Sequence, residues 1–254
     1  MMKIKGFKRV PAIDKCFSIL ELLAQSKEPM GISEVSGKLD LNKSTVFNIG
    51  HTLVDLNVLE KQCDGKFVFG TRFYILANMA SKRSALIQIA HPYLEKINRE
   101  TKLSAFLGLR FDRQAILIDK VDSANGIKLS SEIGTKMPIL AGAGIKAMLS
   151  QLTDEEIDDI LARTELRHCT PHSITDKTAY KEEIFKVREH GIAYDREEYI
   201  EGMVAFAVPV KIYRRDMQAA IWAVGLRQQV SDLDIKELTL LLKGISEEID
   251  CRLQ

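Results

Sequence analysis

The sequence predicts an α+β protein in which a small unit of three helices and a hairpin precedes a larger unit built on an antiparallel sheet. Three observations point there. Apolar residues recur at helical spacing three times before residue 57, the period then drops to two across an Asp-Gly turn, and later strand-like runs bracket a block of helical patterns. At 254 residues with 46% hydrophobic and 28% charged content, the chain can bury a sizeable core and exceeds the commonest single-domain size, so two domains are expected.

The first helix is marked by Ile13, Phe17, Leu20 and Ala24 and stops before Glu28 and Pro29. Ser33 stands where an N-cap hydroxyl would accept a first-turn amide, and residues 34–39 form a short second helix. A compact turn at Asp40, Leu41 and Asn42 leads to a third, with Val46, Ile49, Leu53 and Leu56 on its inward face. Residues 58–62 and 66–69 then alternate as strands around Asp64-Gly65, whose positive-φ preference favours a tight hairpin. Three helices and a wing, the second and third helices joined by a tight turn, follow the order of a winged helix-turn-helix, placed over residues 8–71.

Residues 71–99 read as mostly helical, with a break at His91-Pro92, and supply a helical linker over 72–90. Strand candidates follow at 104–109, 115–121 and 126–131, then helices after Gly144, after Asp154 and across 176–190. Strands at 203–210 and 217–225 precede a closing helix over 232–252.

Charge separates the two units. Through Arg83 there are 13 Lys and Arg against 8 Asp and Glu, and in the remainder 23 against 27. A basic small unit joined to an acidic larger one suits a polyanion partner for the first alone. Four scattered cysteines without finger spacing read as reduced and structural. No apolar run approaches the ~20 residues of a transmembrane helix, so a cytoplasmic location is expected.

Three stretches carry a resemblance to a known family. They are Ile32-Ser33-Glu34-Val35 with Leu41-Asn42-Lys43-Ser44-Thr45-Val46; Gly134-Thr135-Lys136-Met137-Pro138 leading to Gly144-Ile145-Lys146-Ala147; and residues 191–199 with Gly202-Met203-Val204-Ala205-Phe206-Ala207-Val208-Pro209-Val210. In this order the chain resembles IclR-type transcription regulators, named for the isocitrate lyase regulator, over essentially its whole length. The resemblance implies a GAF-like C-terminal effector-binding and oligomerisation domain over 91–254, a homodimer or tetramer on a palindromic operator, and repression or activation without catalysis or cofactor.

With the third helix in the major groove, its outward face presents Lys43, Ser44, Thr45, Asn48, Phe47 and His51. Lys43, Ser44, Thr45 and the first-turn amides suit phosphates, Asn48 suits adenine, and Phe47 suits a thymine methyl. Lys66 on the wing suits the DNA backbone, and Lys3, Lys5, Lys8 and Arg9 form either a minor-groove arm or a solvated tail. The family pattern often carries arginine about where Asn48 stands, and Gly50 is a poor helix former, so operator preference does not transfer.

The resemblance places the effector pocket at Gly142, Ala143, Asp195, Met203, Ala205, Trp222 and Val224. Family members that take small organic acids tend to carry Ser or Cys at several of these positions. Ala205, Trp222 and Val224 therefore imply a greasier pocket for an aromatic or otherwise apolar carboxylate, with Trp222 as a stacking surface and Asp195 as a polar anchor. The amides of Ala141-Gly142-Ala143-Gly144 suit a carboxylate. The competing reading makes Trp222 a core filler with no ligand, and Glu197 and Glu198 read as a solvated acidic turn.

Two other classes remain open from the sequence. One is a protein-interaction module whose winged helix no longer binds DNA, supported by Gly50 and Asn48. The other is a metal-binding protein using His168, Cys169 and His172, joined by Asp195, although no finger, HExxH or nucleophile-elbow spacing accompanies them.

Overall fold

The computed structural model describes residues 8–81, 84–111, 114–123, 131–137, 140–212, 217–230 and 232–253. The expected strand at 126–131 lies outside them except for Ser131, as do Lys3 and Lys5 of the basic arm and Pro138 of the second motif. Contacts divide the chain after Ser84 into two compact units.

In the first unit, α1 (Pro11–Gln25), α2 (Ile32–Leu39) and α3 (Lys43–Asp55) precede an antiparallel hairpin of β1 (Leu59–Lys61) and β2 (Phe67–Phe69), followed by α4 (Thr71–Ser81). Pro11 opens α1, where its missing N–H would have had no helical partner. Ile19, Leu23, Val35, Val46, Leu53, Leu59 and Phe67 form one core.

Three local expectations change. Ser33 lies inside α2, because the helix begins two residues earlier than expected: extended Gly31 is its N-cap, and the Gly31 N–H donates to the Glu34 carboxylate at 2.7 Å. Leu56 is exposed because it is the C-cap of α3, where the chain leaves the buried face. Ile13 and Phe17 are exposed as well. The buried face of α1 carries Ile19 and Leu23, and α2, α3 and the hairpin cover only that side within the unit.

The second unit runs α5 (Ala85–Thr101), β3 (Ser104–Phe111), β4 (Gln114–Val121), β5 (Lys136–Met137), α6 (Ala143–Leu149), α7 (Asp154–Arg163), α8 (Lys177–His190), β6 (Ala193–Arg196), β7 (Met203–Val210), β8 (Met217–Leu226) and α9 (Asp232–Leu253). One sheet in the order β5-β4-β3-β8-β7-β6 is antiparallel at every pairing. The expected break at His91-Pro92 is absent, since Pro92 lies inside α5. Burial of Ala90, Tyr93, Leu94 and Ile97 against the sheet offsets the roughly 3 kcal/mol an interior proline costs a helix.

The strand period sorts side chains between two cores. Ala105, Leu107, Phe206, Val208, Ala219, Ile221 and Ala223 face α5 and α9. Phe106, Ala205, Ala207, Ala220 and Trp222 face α6, α7 and α8. The second face holds a run of alanines, and small side chains there leave room between sheet and α6.

Candidate functional site

On the α6 face, Asp195 of β6 pairs with Ala205 of β7, which pairs with Val224 of β8. One step along, Ala207 pairs with Trp222, and Trp222 with Phe106. All of these residues but Ala207 line a cavity of about 120 Å³, together with the turn at Gly142 and Ala143. Gly142 adopts φ +83, a conformation open to glycine at no steric cost, and a β-carbon there would meet Asp195 Oδ2 at 3.5 Å. The cavity is thus lined by Gly142, Ala143, Asp195, Met203, Ala205, Trp222 and Val224 together.

It also takes in residues the sequence reading passed over. Phe106 and Leu117 extend the apolar floor, while Ser131, Thr135, Lys136, Tyr199 and Ile200 lie on the lining. Lys136, an exposed residue of β5, is the one lysine among the described residues of the lining. Its signal was present in the Gly134–Met137 part of the second motif, but β5 has only two residues, too few for a period to register. The four-residue β6 escaped for the same reason.

Trp222 is packed into the core and also lines the cavity. The indole is 5% exposed, packs at right angles to Phe106 with centroids 5.7 Å apart, and still forms one wall of the cavity.

The acidic turn is not solvated, which corrects the sequence reading. Glu197 is buried, its carboxylate accepting from the Gly202 N–H at 2.8 Å and from Arg227 at 2.7 Å. Glu198 meets Lys146 at 2.6 Å, and the fully buried Lys146 ammonium also donates to the Tyr194 carbonyl at 2.8 Å. Asp195 Oδ1 accepts from the Glu198 N–H at 2.7 Å. Burial nevertheless pushes the Asp195 carboxyl up to about 6; that backbone N–H opposes the rise, while the Glu198 charge adds to it. Beneath them the Tyr180 hydroxyl is buried without a hydrogen-bond partner among the described residues, and burial with the two nearby carboxylates raises its pKa.

In the first unit, Lys43, Ser44, Phe47 and Asn48 stand exposed on α3, with Thr45 partly buried beside them. The Asn42 side chain makes no capping bond, so the first-turn amides have no side-chain acceptor there. Lys66 on the wing is half exposed, 3.6 Å from Asp64. His51 is placed otherwise than expected. Its ring lies 4.2 Å from that of Phe47 and 6.3 Å from that of Phe67, with Nε2 buried and unpartnered, so it packs the wing against α3. Gly50 is buried for the same purpose.

His168, Cys169 and His172 are all exposed, and among the described residues no group of three or more His, Cys, Asp or Glu is arranged to hold a metal. Cys63, Cys169 and Cys251 are exposed free thiols rather than core packing, and Cys16 is partly buried. No described helix is long and apolar enough to cross a membrane.

The model of the bacterial transcriptional regulator IclR C-terminal domain matches residues 79–251, and that of the IclR helix-turn-helix domain matches residues 12–62. The HTH-type transcriptional regulator KdgR of Escherichia coli (strain K12) is 30% identical over 202 residues, covering 79% of this chain and 76% of the relative. An IclR transcriptional regulator from Alicyclobacillus acidocaldarius superposes with a TM-score of 0.86 at 22% identity, covering 97% of this chain and all of that one. An IclR homolog from Microbacterium hydrocarbonoxydans, solved in complex with 4-hydroxybenzoate, has a TM-score of 0.81 at 18% identity, covering 95% and 98%.

Proposed function

Because the chain belongs to the IclR family of bacterial transcription regulators, we propose that it binds a specific operator through α3 and the wing, and that a small, largely apolar organic acid in the C-terminal cavity modulates that binding. The observation that carries the reading is the convergence of the β6–β7–β8 row, Trp222 and the Gly142 turn on one cavity.

On DNA, Lys43, Ser44 and Thr45 with the α3 first-turn amides take phosphates, Lys66 adds a backbone contact from the wing, and Asn48 with Phe47 reads bases. One recognition helix makes few contacts, so two copies on half-sites about 34 Å apart are needed for tight binding. The exposed apolar residues Ile13 and Phe17 of α1, with Tyr74, Ile75, Leu76 and Met79 of α4, support self-association.

In the cavity, the apolar body of the ligand lies over Phe106, Leu117 and Trp222, its carboxylate faces Lys136, and Asp195 accepts a hydrogen bond from a ligand donor such as a ring hydroxyl. A void of about 150 Å³ holds one benzene, so about 120 Å³ limits the ligand to at most a single ring or a short aliphatic acid. The bound 4-hydroxybenzoate of the Microbacterium hydrocarbonoxydans homolog is of this chemical kind. The ligand acts on DNA affinity through unequal affinity for two arrangements of the assembly.

Selection of genomic fragments by the purified full-length protein, then titration of the best fragment at several salt concentrations, tests the DNA half. A shared palindrome with a steep salt slope is expected. Weak binding of equal strength to every fragment would overturn it.

A further inference from the structure

We propose that Trp222 is the gauge of the effector cavity: its indole, seated against two glycines, sets the length of acid that fits. This rests on the effector reading above and names the residue that determines specificity within it.

Gly108 sits where the β3–β4 register slips, and a β-carbon on it would stand 2.6 Å from Trp222 Cη2 and 2.7 Å from Cζ3. Gly144, at the start of α6, would place one 3.0 Å from Cε3 and 3.1 Å from Cδ2. Neither glycine has positive φ, so backbone freedom does not account for them. Close approach of the ring does, from the sheet side and the helix side at once. Phe106, edge-on at 5.7 Å, limits rotation of the indole.

The ring is a partition. Trp222, Phe106 and Gly144 line the cavity, whereas Gly108 and the Met148 methyl, which lies 2.7 Å from the same Gly108 β-carbon position, do not. A smaller side chain at 222 opens the volume that the indole fills, as far as Gly108 and Met148, to the cavity. A β-carbon at 144 adds a methyl to the lining beside the ring, 3.0 Å from Cε3, and shortens the cavity.

Calorimetric titration of propionate, benzoate, phenylacetate and 3-phenylpropionate into the wild-type protein, Trp222→Val and Gly144→Ala tests this, with thermal unfolding run on each. The wild type is expected to bind benzoate about tenfold or more tightly than 3-phenylpropionate, and Trp222→Val to reverse that order. Gly144→Ala is expected to lose benzoate about tenfold relative to propionate, and it carries the test if Trp222→Val does not fold. The same order of preference in all folded proteins overturns the gauge and leaves the effector reading standing. No heat from any acid with any folded protein overturns the effector reading and the gauge with it.

Discussion

The ring of Phe67 on the wing occupies the place where a β-carbon on Gly50 of α3 would stand, its Cζ 2.6 Å from that point. The glycine that weakens α3 as a helix is what lets the wing close onto it. Gly50→Ala gains up to about 1 kcal/mol of helix propensity and loses about 1–3 kcal/mol to overpacking, so a net loss in urea unfolding is expected. Adding Phe67→Leu should recover part of it. A Gly50→Ala protein more stable than the wild type would contradict this packing.

The outward face of α3 divides by chemistry. Asn48→Ala should relax discrimination among operator variants, costing about 1–3 kcal/mol if a bidentate base contact is lost. Lys43→Ala should weaken all sequences alike and reduce the salt slope by about one. Anisotropy titrations on an operator and its single-base variants check both, and unchanged discrimination with Asn48→Ala would remove that residue from base readout.

Lys146 is fully buried against Glu198. Removing one partner of a buried pair leaves an uncompensated charge, so Lys146→Met should cost about 3 kcal/mol. Glu198→Gln in the same chain should restore part of that, and a double-mutant cycle in urea measures the coupling. Additive effects would show that the two groups do not support one another.

Asp195 gives a pH signature. Its carboxyl is raised from 3.8 to about 6 in the folded protein, first by burial. Ionisation is therefore harder in the folded state. The stability this group contributes is fullest below about pH 3.8, is lost as pH rises to about 6, and is constant above. Asp195→Asn should gain on the wild type across that window by about 2 kcal/mol. Urea unfolding at pH 4, 5, 6 and 7 measures the difference, and parallel profiles would contradict it.

Much of this was legible in the residues because periodicity reports which faces are buried. The 3.6 and 2 periods locate α3, the wing, β3, β4, β7 and β8, and the third motif puts Asp195 near Ala205. Other features depend on partners distant in sequence. A lysine is almost never fully buried, so Lys146 gave no sign that Glu198, 52 residues on, would hold it. Gly50 read as a flaw because Phe67 lies beyond the turn that brings it back. Pro92 read as a break because propensity does not include burial against a sheet.

The proposed function requires occupancy of the C-terminal cavity to alter the grip of α3 on DNA. Its direct measurement is the affinity of the full-length protein for its selected operator fragment with and without saturating benzoate or 4-hydroxybenzoate, at fixed salt, alongside a Trp222→Val control. A change of at least fivefold, either way, that disappears or moves to a longer acid in the control is the expected result. An operator affinity that stays the same in the presence of an acid shown by calorimetry to be bound would contradict it.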